Sequence, residues 1–372
     1  MPAAPLPAVI AEINSPTTRV TRRVEVYESD GTTRWPGDNG VRLLDGSVSV
    51  DYARDERRSV DLRLDNSDNA LRSDPNGGFW YDKILKVYRG VELDDGSKWE
   101  VQLGEFMIDR LAEPHFPNIV TVTGRDYSKK LQTSKFLVAT QFTSGTTVET
   151  VIRAIGQNGG ISRFLFPPTG KTLGRDFLFE RGTPRWQAMT EIATAYGFEV
   201  FFDTQGFCVL QQFQDPSTSP LVAVYKTGAE GNLVSYDKSA NDSRLYNHIV
   251  VTGEATDIAP VFASAKNEQP NSPTRIARIG ERVYQYTSAF ITTTVQAQDV
   301  ANAFLKVHAL EEYEVGLGSI VYPWLEAGDI VDFIDPKAGT NQPTRFLLSS
   351  FTIPLTLGAM TGSAKRVAIV SG

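Results

Sequence analysis

The chain of 372 residues contains one cysteine and three histidines. A single thiol excludes an intrachain disulfide and any multi-thiolate zinc site. Cys208 lies in the run Gly206-Phe207-Cys208-Val209-Leu210, where a small buried hydrophobe is expected rather than a nucleophile. His115, His248 and His308 are far apart in sequence, so no histidine-based metal motif can be read. Positive charge is short as well, since 37 Lys and Arg face 44 Asp and Glu and leave a net charge of −7. Proteins that grip phosphate backbones are normally basic, so stable sequence-independent binding to nucleic acid is disfavoured. No window approaches the ~18 uninterrupted apolar residues of a membrane span. The start, Met1 to Pro7, has three prolines and no Lys or Arg before Arg19, which is not a secretory signal. A soluble product with no membrane anchor and no export address is expected.

Glycine (30) and proline (20) are frequent, and aromatic and β-branched residues fill the stretches between them. Period-two segments recur at Val24 to Tyr27, Val48 to Val50, Val60 to Leu64, Ile84 to Tyr88, Trp99 to Leu103 and Ile119 to Val122. Turn residues separate them at Ser29-Asp30-Gly31, Leu44-Asp45-Gly46, Asn76-Gly77-Gly78 and Asp94-Asp95-Gly96. A barrel or sandwich is predicted over residues 1–135.

From about residue 136 the period changes. Thr146-x-x-Glu149 has capping-box spacing, Val148, Val151, Ile152 and Ile155 share a helical face, and Gly159-Gly160 ends it. A second helix is expected to open at Thr183-Pro184 and to carry Trp186, Met189, Ile192, Ala193 and Tyr196 to Gly197. A hairpin turning at Thr204-Gln205-Gly206 follows, so residues 136–215 read as a small helix-containing α/β domain. Residues 216–372 read as a second β-barrel domain with a helical insertion near 295–313, and Glu254 to Thr274 as a long exposed loop. The tail strands are expected at Ile330 to Ile334, Phe346 to Ile353 and Ala364 to Val370. A faint echo links Phe106-Met107-Ile108 and its following strand Val120 to Val122 with Phe351-Thr352-Ile353 and Val367 to Ile369. The predicted class is mainly β with α+β parts: two tube-like antiparallel β-barrels, whose strands can come from separated stretches, plus the α/β domain.

Catalytic signatures are sparse. Thr169-Gly170-Lys171-Thr172 ends like a phosphate-binding loop, but Leu165 stands where the first glycine is needed. Gly316-Leu317-Gly318 begins like a dinucleotide fingerprint, but Val321 replaces the third glycine, and a loop is expected. Asp65 to Asn69 is rich in oxygen ligands, yet Ala70 and Asn76 occupy the positions an EF-hand gives to glycine and glutamate. No nucleophile elbow or zincin helix occurs. The 44 acidic residues supply candidate pairs for glycoside cleavage, and nothing singles out any two of them. His308 falls on the apolar side of its helix and reads as a packed histidine, while His115 reads as a surface loop residue. No catalytic, cofactor or metal residue is nominated. Asp51 to Arg58 alternates charges, and Arg54, Arg57 and Arg58 suit either a solvated hairpin tip or a polar contact with another subunit.

The order of these parts resembles a family. Barrel strands lead to Val122-Thr123-Gly124-Arg125-Asp126 and a short helical run from Tyr127 to Leu131. The helix-and-hairpin unit Trp186 to Val200 follows, then Asn247 to Gly253, the helix with Gln296-Ala297 and Ala301, and Pro323 to Val331. This is similar to the tail hub proteins of tailed bacteriophages, including baseplate hubs, the late-control protein D family and the N-terminal part of type VI secretion spikes. The likeness spans about Val24 to Val370. It implies a non-enzymatic virion protein at the tail tip, made in the host cytoplasm, that assembles as a homotrimer with two tube-like barrels per chain. The implied partners are the distal tail protein or tail tube, the tape-measure protein, a central spike or fibre, and genomic DNA passing transiently through the channel. No cofactor is implied. Longer relatives carry a peptidase, lysozyme-like or receptor-binding extension, which is not expected in this chain. The alternatives are a tail-tip cell-wall hydrolase and a host-glycan-binding tail module.

Overall fold

The computed structural model describes residues 5–38, 40–114, 116, 118–228, 231–239, 245–254, 260–308, 314–335 and 340–367. His115, residues 309–313 of the expected third helix and residues 368–370 of the expected last strand lie outside these. After a short helix α1 (Pro7–Ile13) come six strands: β1 (Val20–Tyr27), β2 (Leu43–Asp51), β3 (Arg58–Asp65), β4 (Ile84–Glu92), β5 (Lys98–Ala112) and β6 (Ile119–Arg125). The predicted alternation operates here. Val24 and Val26, Val48 and Val50, and Val60, Leu62 and Leu64 all point into the core while their neighbours face outward.

The middle of the chain holds α2 (Ser128–Thr133), β7 (Thr140–Phe142), α3 (Val148–Asn158), β8 (Phe164–Leu165), β9 (Phe177–Phe179), α4 (Arg185–Ala195), β10 (Phe198–Phe202) and β11 (Cys208–Gln212). Then follow β12 (Leu221–Lys226), β13 (Leu233–Ser239), β14 (His248–Gly253), β15 (Val261–Lys266), α5 (Ile276–Ile279), β16 (Val283–Ser288) and α6 (Thr294–His308). The last strands are β17 (Glu314–Ser319), β18 (Ile330–Asp335), β19 (Thr340–Pro354) and β20 (Met360–Arg366).

Twelve strands share one sheet, and they fall into two six-stranded units. The first unit has the order β1-β4-β5-β6-β3-β2, and the second has β12-β18-β19-β20-β17-β13. Counted along the chain, these are the same order, each strand taking the place of its counterpart. The irregularities repeat too. The β5–β6 ladder shifts register between Ile108 and Arg110, and the β19–β20 ladder between Leu348 and Ser350. The β2–β3 ladder shifts between Leu43 and Asp45, and β13–β17 between Leu233 and Ser235. Opposite Ile84 and Leu85 stand Met107 and Phe106; opposite Ile330 and Val331 stand Leu347 and Phe346. Bulges mark defined places in a ladder, so two coincident ones fix the alignment. It pairs Ile108 with Leu348 and Phe106 with Phe346, not with Phe351 as the sequence echo suggests. One ladder departs from the repeat and from the antiparallel expectation: β12 runs parallel to β18, whereas β1 is antiparallel to β4. The chain reaches β12 from the second core instead of from the N-terminal helix. The two units meet where β2 pairs with β19, and one hydrophobic core runs through both.

A second core gathers α3, α4 and α6 on three small sheets, β10-β11-β8, β15-β14-β16 and β7-β9. The stretch β14 to α6 therefore packs with the helices, although the sequence reading groups it with the C-terminal barrel. Leu131 of α2 already belongs to this core as well. Within it Val148, Val151, Ile152 and Ile155 are buried as expected from their spacing. The capping box does not form: Thr147 is the N-cap, and the Glu149 carboxylate instead accepts from Thr169 Oγ1 at 2.5 Å. Helix α4 starts one residue late, with Pro184 as its N-cap. The segment expected as a loop from Glu254 to Thr274 contains β15, whose Val261, Ala263 and Ala265 are buried. Small alanines concealed that alternation. Gly316 and Gly318 lie in a strand, not a loop. A Cβ on either would fall 2.4 Å from the Asp237 or Ser235 side chain of β13, so glycine permits the close ladder.

Candidate functional site

The two cores meet across the outward face of β10. Period two sends Phe198, Val200 and Phe202 into the second core and leaves Glu199 and Phe201 facing the large sheet. Opposite them is the turn between β2 and β3. Arg57 from that turn is buried, donates to Glu199 Oε2 at 2.6 Å, and lies 3.9 Å from the Phe201 ring centre and 4.9 Å from that of Tyr52. Arg58 is buried further. It pairs with Glu326, its Nη1 donates to Leu103 O at 3.4 Å, and its backbone N–H donates to Asp126 Oδ2 at 2.9 Å. Burial lowers the Arg58 pKa to about 10, and the neighbouring Arg57 charge adds to this. Burial also raises the pKa of Asp126, against the hydrogen bonds it accepts from Ser128 and Arg58.

Of the three arginines considered for a subunit contact, Arg57 and Arg58 are thus committed inside their own chain, because β10 lies over the turn. Arg54 faces outward, 3.3 Å from Asp51. The charge pattern located the segment but could not reveal partners more than a hundred residues away.

A second polar knot lies beside the first. Glu105 of β5 is buried and pairs with Arg163 and, at 3.2 Å, with Lys86. It also accepts from Tyr127 OH at 3.2 Å, while Gln102 Nε2 donates to Thr204 O at 2.6 Å across the seam. Burial and the Glu105 charge raise the Tyr127 pKa. Neither Glu105 nor Glu199 was singled out from sequence. Their only signal is an acidic residue inside an otherwise apolar or aromatic strand.

Between the knots opens a cleft of about 870 Å³. Tyr52 and Arg57, Glu199 and Phe201, and the Glu326 to Asp329 turn contribute to its walls. Burial pushes the Asp329 carboxyl up to about 7, with Arg58 pulling the other way. Asp329 Oδ2 accepts the Glu326 N–H at 2.8 Å. Gly328 has φ +100°, a conformation that disfavours any side chain. The described lining contains no histidine or cysteine, and no cluster of metal-ligating side chains occurs among the described residues. Cys208 is buried, which raises its thiol pKa. His308 stacks on Tyr284 with ring centres 4.6 Å apart, and burial lowers its pKa to about 4. At the wall of the cleft the Arg57–Glu199 pair clamps the two cores together, while Glu326 pairs with Arg58 of its own side.

The other candidate surfaces are strand edges. β13 stands last in the sheet order and pairs with β17. On β5, β4 covers Lys98 to Met107, while β6 lies on the opposite edge. The ladder with β4 ends at Met107, and just beyond it Lys129 Nζ donates to Ile108 O at 2.7 Å.

No protein-family model and no curated protein matches the sequence. Solved structures do match in shape. A tail protein from Neisseria meningitidis MC58 aligns with a TM-score of 0.63 at 16% identity, over 94% of this chain and 97% of its own. The 43 kDa tail protein of prophage MuSo2 from Shewanella oneidensis aligns with a TM-score of 0.61 at 11% identity, over 93% and 98%. The prophage tail protein gp18 from Listeria monocytogenes EGD-e gives 0.55 at 13%, over 92% and 94%. Along nearly its whole length, this chain shares one fold with tail proteins, two of them encoded by prophages.

Proposed function

We propose that this chain is a structural, non-enzymatic hub of a phage-type tail. It acts as a homotrimeric ring at the tail tip that adapts a sixfold tube to a threefold spike or fibre and lets DNA pass. The observation carrying this reading is the pair of six-stranded units with one strand order and matching bulges in a single chain. Three copies would present six similar units, which is what contact with a sixfold tube requires. The fold shared with tail proteins supports the same reading. So does the net charge of −7, since a strongly basic chain would hold passing DNA through counterion release. The distal tail protein or tail tube, the tape-measure protein and the central spike or fibre are the corresponding partners.

Purified virions, probed by mass spectrometry and by antibody labelling in electron microscopy, test the assignment. The chain is expected at the tip, in a copy number that is a multiple of three. Its absence from virions, or peptidoglycan clearing by the isolated chain in a zymogram, would overturn the reading.

A further inference from the structure

The first unit buries one cation for which its own chain supplies no counter-ion. Four Lys and Arg side chains are buried among the described residues: Arg57, Arg58, Lys83 and Arg89. Arg57 pairs with Glu199, Arg58 with Glu326, and Lys83 with Glu28 and Asp82. Arg89, 4% exposed, makes no ion pair or hydrogen bond among the described residues. Strand geometry denies it one. Period two puts Val87, Arg89 and Val91 on one face of β4. The nearby acids fall on the other face: Glu92 of β4, Glu25 of β1 opposite Lys86, and Glu100 of β5 opposite Gly90. All three are engaged there, Glu92 with Arg19, Glu25 with Arg23 and Arg34, and Glu100 with Arg23. The residues that stand directly opposite Arg89 are Val101 on β5 and Arg22 on β1. Arg22 is exposed and has no ion pair or hydrogen bond among the described residues either.

We infer that Arg22 and Arg89 form a binding site for one oxyanion, a phosphate or carboxylate group, shared between their two guanidinium groups. The site is independent of the hub reading, and neither arginine lines the cleft between the two cores.

Three observations carry it. First, a guanidinium taken out of water without a partner is costly, and Arg89 is the buried cation for which the chain provides none. It keeps its charge at neutral pH all the same, since burial lowers its pKa only to about 10. Second, the β1–β4 ladder sets a second arginine against it. Directly opposed side chains have Cβ atoms about 5 Å apart, where like charges repel. A bound anion turns that repulsion into two attractions, and the guanidinium fork matches the paired oxygens of phosphate and carboxylate. Third, the site is open at the end where an anion must enter. Of the Arg89 nitrogens, Nε is sealed from solvent without a partner, whereas Nη1 and Nη2 are not sealed. Arg22 stands at the exposed end of the same pair.

Thermal unfolding of the full chain tests the site. Sodium phosphate and sodium acetate are titrated separately against sodium chloride, at constant ionic strength and neutral pH. At least one of them should raise the wild-type Tm along a saturating curve, because an anion bound only to the folded chain stabilises it. A rise with phosphate alone assigns the site to a phosphate group, and a rise with acetate assigns it to a carboxylate. Arg89→Met should abolish the rise. Arg22→Gln alters an exposed side chain outside the core, so it decides the matter even if Arg89→Met does not fold. It should weaken the apparent affinity about tenfold through loss of one charged donor. No rise with either anion in the wild type would overturn the site. So would an equal rise in the wild type and in Arg22→Gln.

Discussion

Asp329 offers the sharpest test of the clamp between the two cores. Its carboxyl is held at about 7 against an ordinary 3.8, chiefly because the cleft wall buries it. A carboxyl with a raised pKa in the folded protein holds its proton more tightly there than in the unfolded chain. The contribution of Asp329 to stability is therefore fully present below pH 3.8, declines as the pH rises toward about 7, and stays lost above it. A span of roughly 3 pH units at about 1.4 kcal/mol each gives a cost of at most about 4 kcal/mol at alkaline pH. Asp329→Asn keeps a carbonyl oxygen for the Glu326 N–H and removes the ionisation. Urea unfolding of both proteins should show the variant gaining about 2–3 kcal/mol on the wild type between about pH 5 and about pH 8. Parallel stability profiles across that window would show that Asp329 ionises freely and that the wall does not desolvate it.

Glu199→Gln removes the charge facing buried Arg57 and should cost about 3 kcal/mol in urea unfolding, since one partner is left charged without its carboxylate. A loss near zero would refute the clamp. Arg89 lies on the core face of β4 with Val87 and Val91, and its Nε has no hydrogen-bond partner among the described residues. Burial alone lowers its pKa to about 10. Arg89→Met should therefore raise stability by about 1–3 kcal/mol, read as a higher Tm, and a lower Tm would point to a stabilising role that desolvation does not describe.

The strands of the first unit were legible because their alternation is strong: valine or leucine takes every second position in Val24 to Val26, Val48 to Val50 and Val60 to Leu64. The helices were legible for the same reason at a different period. What the sequence hid was long-range. β15 alternates alanine with larger residues, and β17 owes its place to two glycines that pack against β13. The repeat survives in bulges and register more than in residues. Val60 and Val315 agree, but the facing pair Lys86–Glu105 becomes Asp332–Arg345 with its signs reversed. Shape matching by residue type alone therefore slipped to a wrong alignment. The arginines were found by density, but the carboxylates that bind Arg57 and Arg58 lie 142 and 268 residues further on.

The junction of β2 with β19 also has a consequence for biosynthesis. Ser49 and Thr352, hydroxyl to hydroxyl at 2.9 Å, are 303 residues apart. As the chain emerges from the ribosome, β2 has its neighbour β3 almost at once but waits some 303 residues before its other edge is covered. During that interval, Val48 and Val50 border an open ladder able to accept the wrong strand, including one from a neighbouring nascent chain. Contacts this distant in sequence close slowly. Yield in a heterologous host should thus depend on how quickly β19 follows, more than on the stability of the folded chain.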